Sequence, residues 1–305
     1  MEPVSLSEWN SLPPLQLRRR IFRGGLSPGI RKYAWKYLLG FYQSTTTPVH
    51  ERVELYNERK SQLFAFKVPD SGSELYSRIK RVCILKSHWQ DVVRTDACLP
   101  FYREHPENAD TLQLILLIWS THFSGTVGYV QGMSDLASIF VQVFEGDAVY
   151  AFYCFSAFMK QVECNFWQDG SGMQTRLDKT AKVLETVLPD LYAHLRKVDC
   201  LNLFICYRWY LVLFKREFSI QDTCLLWESI FTSEHQDYSY FLAVAILEQH
   251  VDHLLCMSSF DEMLKYVNSL AMKISAVEIL ERAELLFLPH QMMENESAQD
   301  ADDFQ

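Results

Sequence analysis

The spacing of the apolar residues limits this chain more than any other feature. Leu75, Ile79, Val82, Leu85, Trp89 and Val93 step by three and four, so a helix gathers them on one face. Leu112, Ile115, Leu116 and Trp119 repeat the pattern after the polar "ENAD" at 107–110, which reads as a helix start. Asp147 precedes the apolar run from Val149 to Met159 and is placed to cap it. Met173, Leu177, Ala181, Leu184 and Leu188 form another stripe, which ends at Pro189. Long β-branched stretches of period two are missing. Glycine is also scarce: 11 in 305 residues is about half the usual ~7%. That count disfavours a turn-rich β fold and a chain built on glycine-rich nucleotide loops. The expectation is all-α.

A chain of 305 residues can bury one large core or two lobes, and 49% hydrophobic against 22% charged residues is an ordinary globular balance. Turn-like breaks fall at 43–48, 68–73, 124–128 and 168–172, yet none reads as a linker and no repeat of fixed period stands out. This organisation reads as one helical domain with short tails. The net charge of −9 is uneven, because Glu294, Glu296, Asp300, Asp302 and Asp303 supply five of it in a tail read as solvated and disordered. Arg18, Arg19, Arg20 and Arg23 read as the solvated face of a first helix, with a membrane surface or an acidic partner as the alternative. An acidic body argues against nucleic acid. The eight cysteines form no CxxC pair, and several lie in apolar runs, as buried reduced thiols do. The N-terminus lacks a signal-like apolar core, and the greasiest runs, 148–159 and 203–214, are too short to span a bilayer. The compartment expected is the cytosol.

Most enzyme templates fail on the residues. There is no GxxxxGK[ST] phosphate loop and no GxSxG elbow. "DGSGM" at 169–173 reads as a helix entry rather than a phosphate cradle. His250 and His253 in "EQHVDH" are one turn apart, but without a second cluster they read as polar helix surface, and no metal site is expected. Two segments remain. In "DVVRTD" at 91–96, a helix expected to bury its Trp89/Val93 face delivers Arg94 just past its end, with Asp91 three residues earlier. Either Asp91 aims the guanidinium, or a cation simply favours a helix C-terminus. In "GTVGYVQGMSDL" at 125–136, Gly128 and Gly132 bracket Gln131, which either satisfies backbone groups or reaches outward. Together, an arginine and a glutamine on loops match what hydrolysis of a GTPase's bound GTP requires. The arginine neutralises charge on the transferred phosphoryl group, and the glutamine orients the attacking water. Gly132 permits close backbone approach, and the helix N-terminus after it favours anions.

With these residues in view the chain resembles the TBC-domain family of Rab GTPase-activating proteins. "DVVRT" at 91–95 is similar to the family's IxxDxxRT motif, and "YVQGM" at 129–133 matches YxQGM in full. "GLSPGIRKYAWKYLLG" at 25–40 resembles its opening signature, with Arg31 and Trp35 in place. "RWYLVLFKREF" at 208–218 and "LLWE" at 225–228 resemble its C-terminal blocks, most closely those of the Gyp7-like branch. The resemblance implies a two-lobed, all-helical TBC domain over 20–287, between an N-terminal segment 1–19 and the acidic tail 288–305. It implies no self-contained catalysis but acceleration of GTP hydrolysis by a GTP-loaded Rab, with a role in vesicle trafficking. Arg94 is then the arginine finger and Gln131 the glutamine finger, supplied in trans. Asp91 and Thr95 orient Arg94; Tyr129, Gly132 and Met133 shape the loop around Gln131; Asp135 and Arg31 support. Trp35, Trp209 and Trp227 are expected in packing. The domain needs no cofactor of its own, since the GTP and Mg belong to the Rab. Its location is expected to be cytoplasmic, with recruitment to endomembranes by the partner and at most peripheral membrane contact. The alternative is a catalytically silent TBC domain that only holds a Rab. His88 stands where the motif has isoleucine, and roughly 45–85 matches no motif.

Overall fold

Short polar side chains set several of the helix starts, and proline or glycine marks others. A computed structural model describes residues 2–41, 54–58, 89–122, 127–233 and 238–288. Its main helices are α1 (Leu6–Ser11), α2 (Pro14–Gly24), α3 (Pro28–Leu38), α4 (Glu107–His122), α5 (Met133–Val143) and α6 (Ala148–Val162). They continue with α7 (Ser171–Val187), α8 (Pro189–Lys197), α9 (Ile220–Thr232), α10 (Tyr238–Gln249) and α11 (Phe260–Ser269). Asp147 accepts from the amides of Val149 and Tyr150 at 3.0 and 3.1 Å and opens α6. Ser5 and Glu8 form a reciprocal capping box on α1. Gly170 begins α7 at φ +70, so "DGSGM" is a helix entry. Among the described residues the only β feature is the bridge Val4–Leu26, and the all-α expectation holds.

The chain divides into two compact units: Met1–Ser27 with Gly170–Gln305, and Pro28–Asp169. In the second unit, Leu112, Ile115, Leu116 and Trp119 of α4 are buried as their spacing demands, and α5 is buried along residues 133–141. Trp35 and Phe155 each meet Phe140 edge-on, at 5.4 and 5.9 Å between centroids, so three helices converge on one ring.

The first unit is built around the C-terminal blocks. Trp209 and Trp227 are fully buried, and the indole N–H of Trp227 donates to the Leu213 carbonyl at 2.9 Å. Arg208 grips the buried Glu217 with both forks, at 2.8 and 2.7 Å. Buried Glu228 accepts from the Leu26 amide at 2.8 Å, which ties the early chain to α9. Along α7 the buried stripe includes Met173, Leu177 and Leu184, joined by Thr180 and Val183; Ala181 and Leu188 are only half-buried.

The basic cluster differs from its expectation in detail. It lies on the second helix, and three of its four arginines are tied within their own unit. Arg20 pairs with Glu8, Arg23 pairs with Glu284, and Arg18 donates to the Phe231 carbonyl. His250 and His253 pack around Tyr266. The His250 ring lies 2.9 Å from its hydroxyl, and His253 stacks on its ring at 5.3 Å. Among the described residues no helix is long and apolar enough to cross a membrane. The acidic tail beyond Leu288, His88 and the stripe from Leu75 to Leu85 lie outside the described residues.

Candidate functional site

Residues 89–96 form a helical turn with an abrupt end. The amides of Val93 and Thr95 bond back to the carbonyls of Trp89 and Asp91 at 3.0 and 2.9 Å. Asp96 then takes φ +52, the left-handed conformation that stops a helix. Asp91, Val92 and Thr95 point inward, whereas Trp89 and Val93 are 43% and 47% exposed. The expected burial of the Trp89/Val93 face is therefore incorrect. The inward face carries two polar residues, and their burial is compensated by hydrogen bonds that hydrophobic spacing does not reveal.

Those bonds aim Arg94. One Asp91 carboxylate oxygen receives its Nη2, while the Arg94 side chain remains 61% exposed. A guanidinium has five donors, so most remain for an incoming acceptor. The other Asp91 oxygen accepts the Tyr129 hydroxyl at 2.6 Å, and Tyr129 lies two residues before Gln131. The Thr95 hydroxyl donates to the Asp91 carbonyl at 2.8 Å and sits 2.9 Å from the Ser134 hydroxyl on α5. The arginine segment and the glutamine loop are thus joined twice, by Asp91–Tyr129 and by Thr95–Ser134. Burial first, and then the bond to Asp91, push the Tyr129 hydroxyl well above its ordinary acidity range, so it remains a donor.

The glutamine loop is shaped by its glycines. Gly128 and Gly132 take φ +67 and +105, and Gly132 caps α5. The Val130 amide lies 3.3 Å from the buried Met133 sulfur, and the Met133 amide bonds the Val130 carbonyl at 3.2 Å. This tight turn leaves Gln131 exposed at the head of a buried helix, with no side-chain hydrogen bond among the described residues. The backbone-satisfying reading of the amide loses its basis here. Asp135 is buried in the first turn of α5, and Arg31 is buried on α3 of the same unit; neither stands exposed with Arg94 and Gln131.

Sequence reasoning missed a second layer. Asp96 accepts from Ser138 Oγ at 2.5 Å and Gln142 Nε2 at 3.3 Å, and the Tyr102 hydroxyl lies 2.9 Å from the same Ser138 oxygen. The available signal was Ser134, Ser138 and Gln142 at i, i+4 and i+8 within an apolar helix.

The fold has solved counterparts, and the sequence shows the family. The chain superimposes on the crystal structure of the Ypt/Rab-GAP domain of Gyp1p with a TM-score of 0.75, covering 92% of this chain and 93% of that one at 19% identity. A Chlamydomonas flagellar RabGAP TBC domain gives 0.70, also at 19% identity. The sequence model described as Rab-GTPase-TBC domain matches residues 28–255, and the chain belongs to that family. It is 35% identical to GTPase-activating protein GYP7 of Yarrowia lipolytica, over 93% of this chain and 43% of that protein. It is 36% identical to TBC1 domain family member 17 of Homo sapiens, over 92% of this chain and 45% of that protein. The chain thus spans less than half the length of these curated relatives.

Proposed function

We propose that this domain is a GTPase-activating protein for Rab-type GTPases and that it lends Arg94 and Gln131 to the nucleotide of its partner. The observation that carries the reading is the pair of exposed side chains on two loops fastened together through Asp91. Membership of the Rab-GTPase-TBC family and similarity to the GTPase-activating proteins GYP7 support it.

The domain's own residues divide the work. Asp91 and Tyr129 hold the arginine segment at a fixed angle, so that Arg94 needs little reordering to meet the charge that builds on the phosphoryl oxygens. Such a finger contributes about 10³–10⁵ in rate, or about 4–7 kcal/mol. Gln131 orients the attacking water from the opposite loop. The helix N-terminus behind Gly132 adds partial positive charge on the same side. The GTP and its Mg remain on the Rab, and the domain brings no cofactor. Action on a Rab places the protein in vesicle trafficking, at endomembranes to which the partner recruits it.

A panel of GTP-loaded Rabs under single-turnover conditions tests the reading. At least one Rab should show accelerated hydrolysis, and acceleration should persist when that Rab's own water-orienting glutamine is changed to alanine. Tight binding without acceleration would instead make the domain a holding module.

A further inference from the structure

Ser134, Ser138 and Gln142 lie one helical turn apart on α5, so they share an edge of a helix that is buried along residues 133–141. That edge bonds the segment bearing Arg94. Ser134 meets Thr95 at 2.9 Å, and Ser138 and Gln142 meet the Asp96 carboxylate at 2.5 and 3.3 Å. Gly132, the residue after Gln131, caps the same helix. One helix therefore anchors the backbone of both exposed side chains.

Asp96 is the unexpected member. At φ +52, glycine stops a helix at least cost, and an aspartate is strained there by comparison. A helix stop alone needs no carboxylate. Ser138 spends its single proton on Asp96, and Tyr102 donates to Ser138 from behind at 2.9 Å, so the acceptor and its donor are both held. We infer that Asp96 is a positioning residue for the proposed reaction. Its carboxylate, clamped by Ser138 and Gln142, fixes where Arg94 stands relative to Gln131. The inference rests on the GTPase-activating reading above. Both side chains must serve one phosphoryl group, and a misplacement near 1 Å costs on the order of 10²-fold in rate. The clamp acts on the transition state and leaves the surface that meets the partner in place.

Three variants separate the carboxylate from the backbone turn. Asp96→Gly keeps the left-handed conformation and removes the clamp, Asp96→Asn keeps an acceptor oxygen, and Ser138→Ala removes the shortest bond. On a Rab that the wild type stimulates, Asp96→Gly and Ser138→Ala should lower the maximal single-turnover rate by about 10–100-fold, with the half-saturating concentration changed by less than about threefold. Affinity for the GDP–aluminium fluoride state should fall with the rate, while affinity for a non-hydrolysable GTP analogue stays level. Asp96→Asn should restore most of the loss. In the free protein, amide hydrogen exchange across 89–96 should rise in Asp96→Gly while α4 keeps wild-type protection. A wild-type maximal rate in Asp96→Gly, or unchanged exchange at 89–96, overturns the clamp. If the wild type stimulates no Rab, the GTPase-activating reading fails, and the exchange result alone decides whether Asp96 fastens the segment.

Discussion

The Asp91 carboxylate spends one oxygen on Arg94 and the other on Tyr129, so a single side chain couples the two loops. Tyr129→Phe removes only the second bond. Hydrogen bonds to charged groups contribute about 1.5–3 kcal/mol, so the variant should lose stability in that range in urea denaturation. Its maximal stimulation should fall about tenfold, with Arg94 still present but less firmly aimed. Wild-type stability together with wild-type rate would remove Tyr129 from the network. At this scale much of the site was legible. Asp91, Arg94, Thr95, Tyr129, Gln131, Gly132 and Met133 fall in two short motifs whose chemistry is specific. Ser134 and Asp96 were not, because a serine in an apolar helix and an aspartate after a helix end each have ordinary explanations. Their partners lie about 40 residues away in sequence.

The helices were legible wherever burial follows apolar spacing, as in α4 and α6. The turn at 89–95 breaks that rule: its buried residues include Asp91 and Thr95, and its exposed ones include Trp89 and Val93. Under the proposed function the exposed side chains of this turn meet the partner. Trp89→Ala therefore raises the half-saturating Rab concentration about tenfold and leaves the maximal rate near wild type, as loss of an aromatic anchor does. An unchanged half-saturating concentration would count against contact there. Gly132 belongs to the loop element on the other side. At φ +105 an added Cβ is strained, so Gly132→Ala should cost about 1–2 kcal/mol in thermal or chemical denaturation. It should also reduce stimulation by moving Gln131. Full stability in this variant would show that the turn tolerates a side chain.

Across the whole molecule, the motif blocks split into two kinds. "YVQGM" and "DVVRT" expose Gln131 and Arg94, whereas "RWYLVLFKREF" and "LLWE" are architectural. Arg208 holds the fully buried Glu217 with two bonds, and removing one partner of such a pair costs about 3 kcal/mol or more. Arg208→Ala should therefore lower the urea midpoint markedly, and its loss of activity should track the unfolded fraction. A variant that is stable yet inactive would give Arg208 a role beyond architecture. The joining of residues before Ser27 to those after Gly170 was not legible, because it depends on long-range ties such as Leu26 to Glu228. The central claim is that Arg94 acts on the nucleotide of another protein. Single-turnover GTP hydrolysis by a responsive Rab, with wild type, Arg94→Ala and Arg94→Lys compared at saturating concentration, tests it most directly. Both variants should bind the GTP-loaded Rab yet lose about 10³-fold or more of the stimulation, with lysine failing because it lacks the planar fork. Stimulation by Arg94→Ala at the wild-type rate would contradict the account.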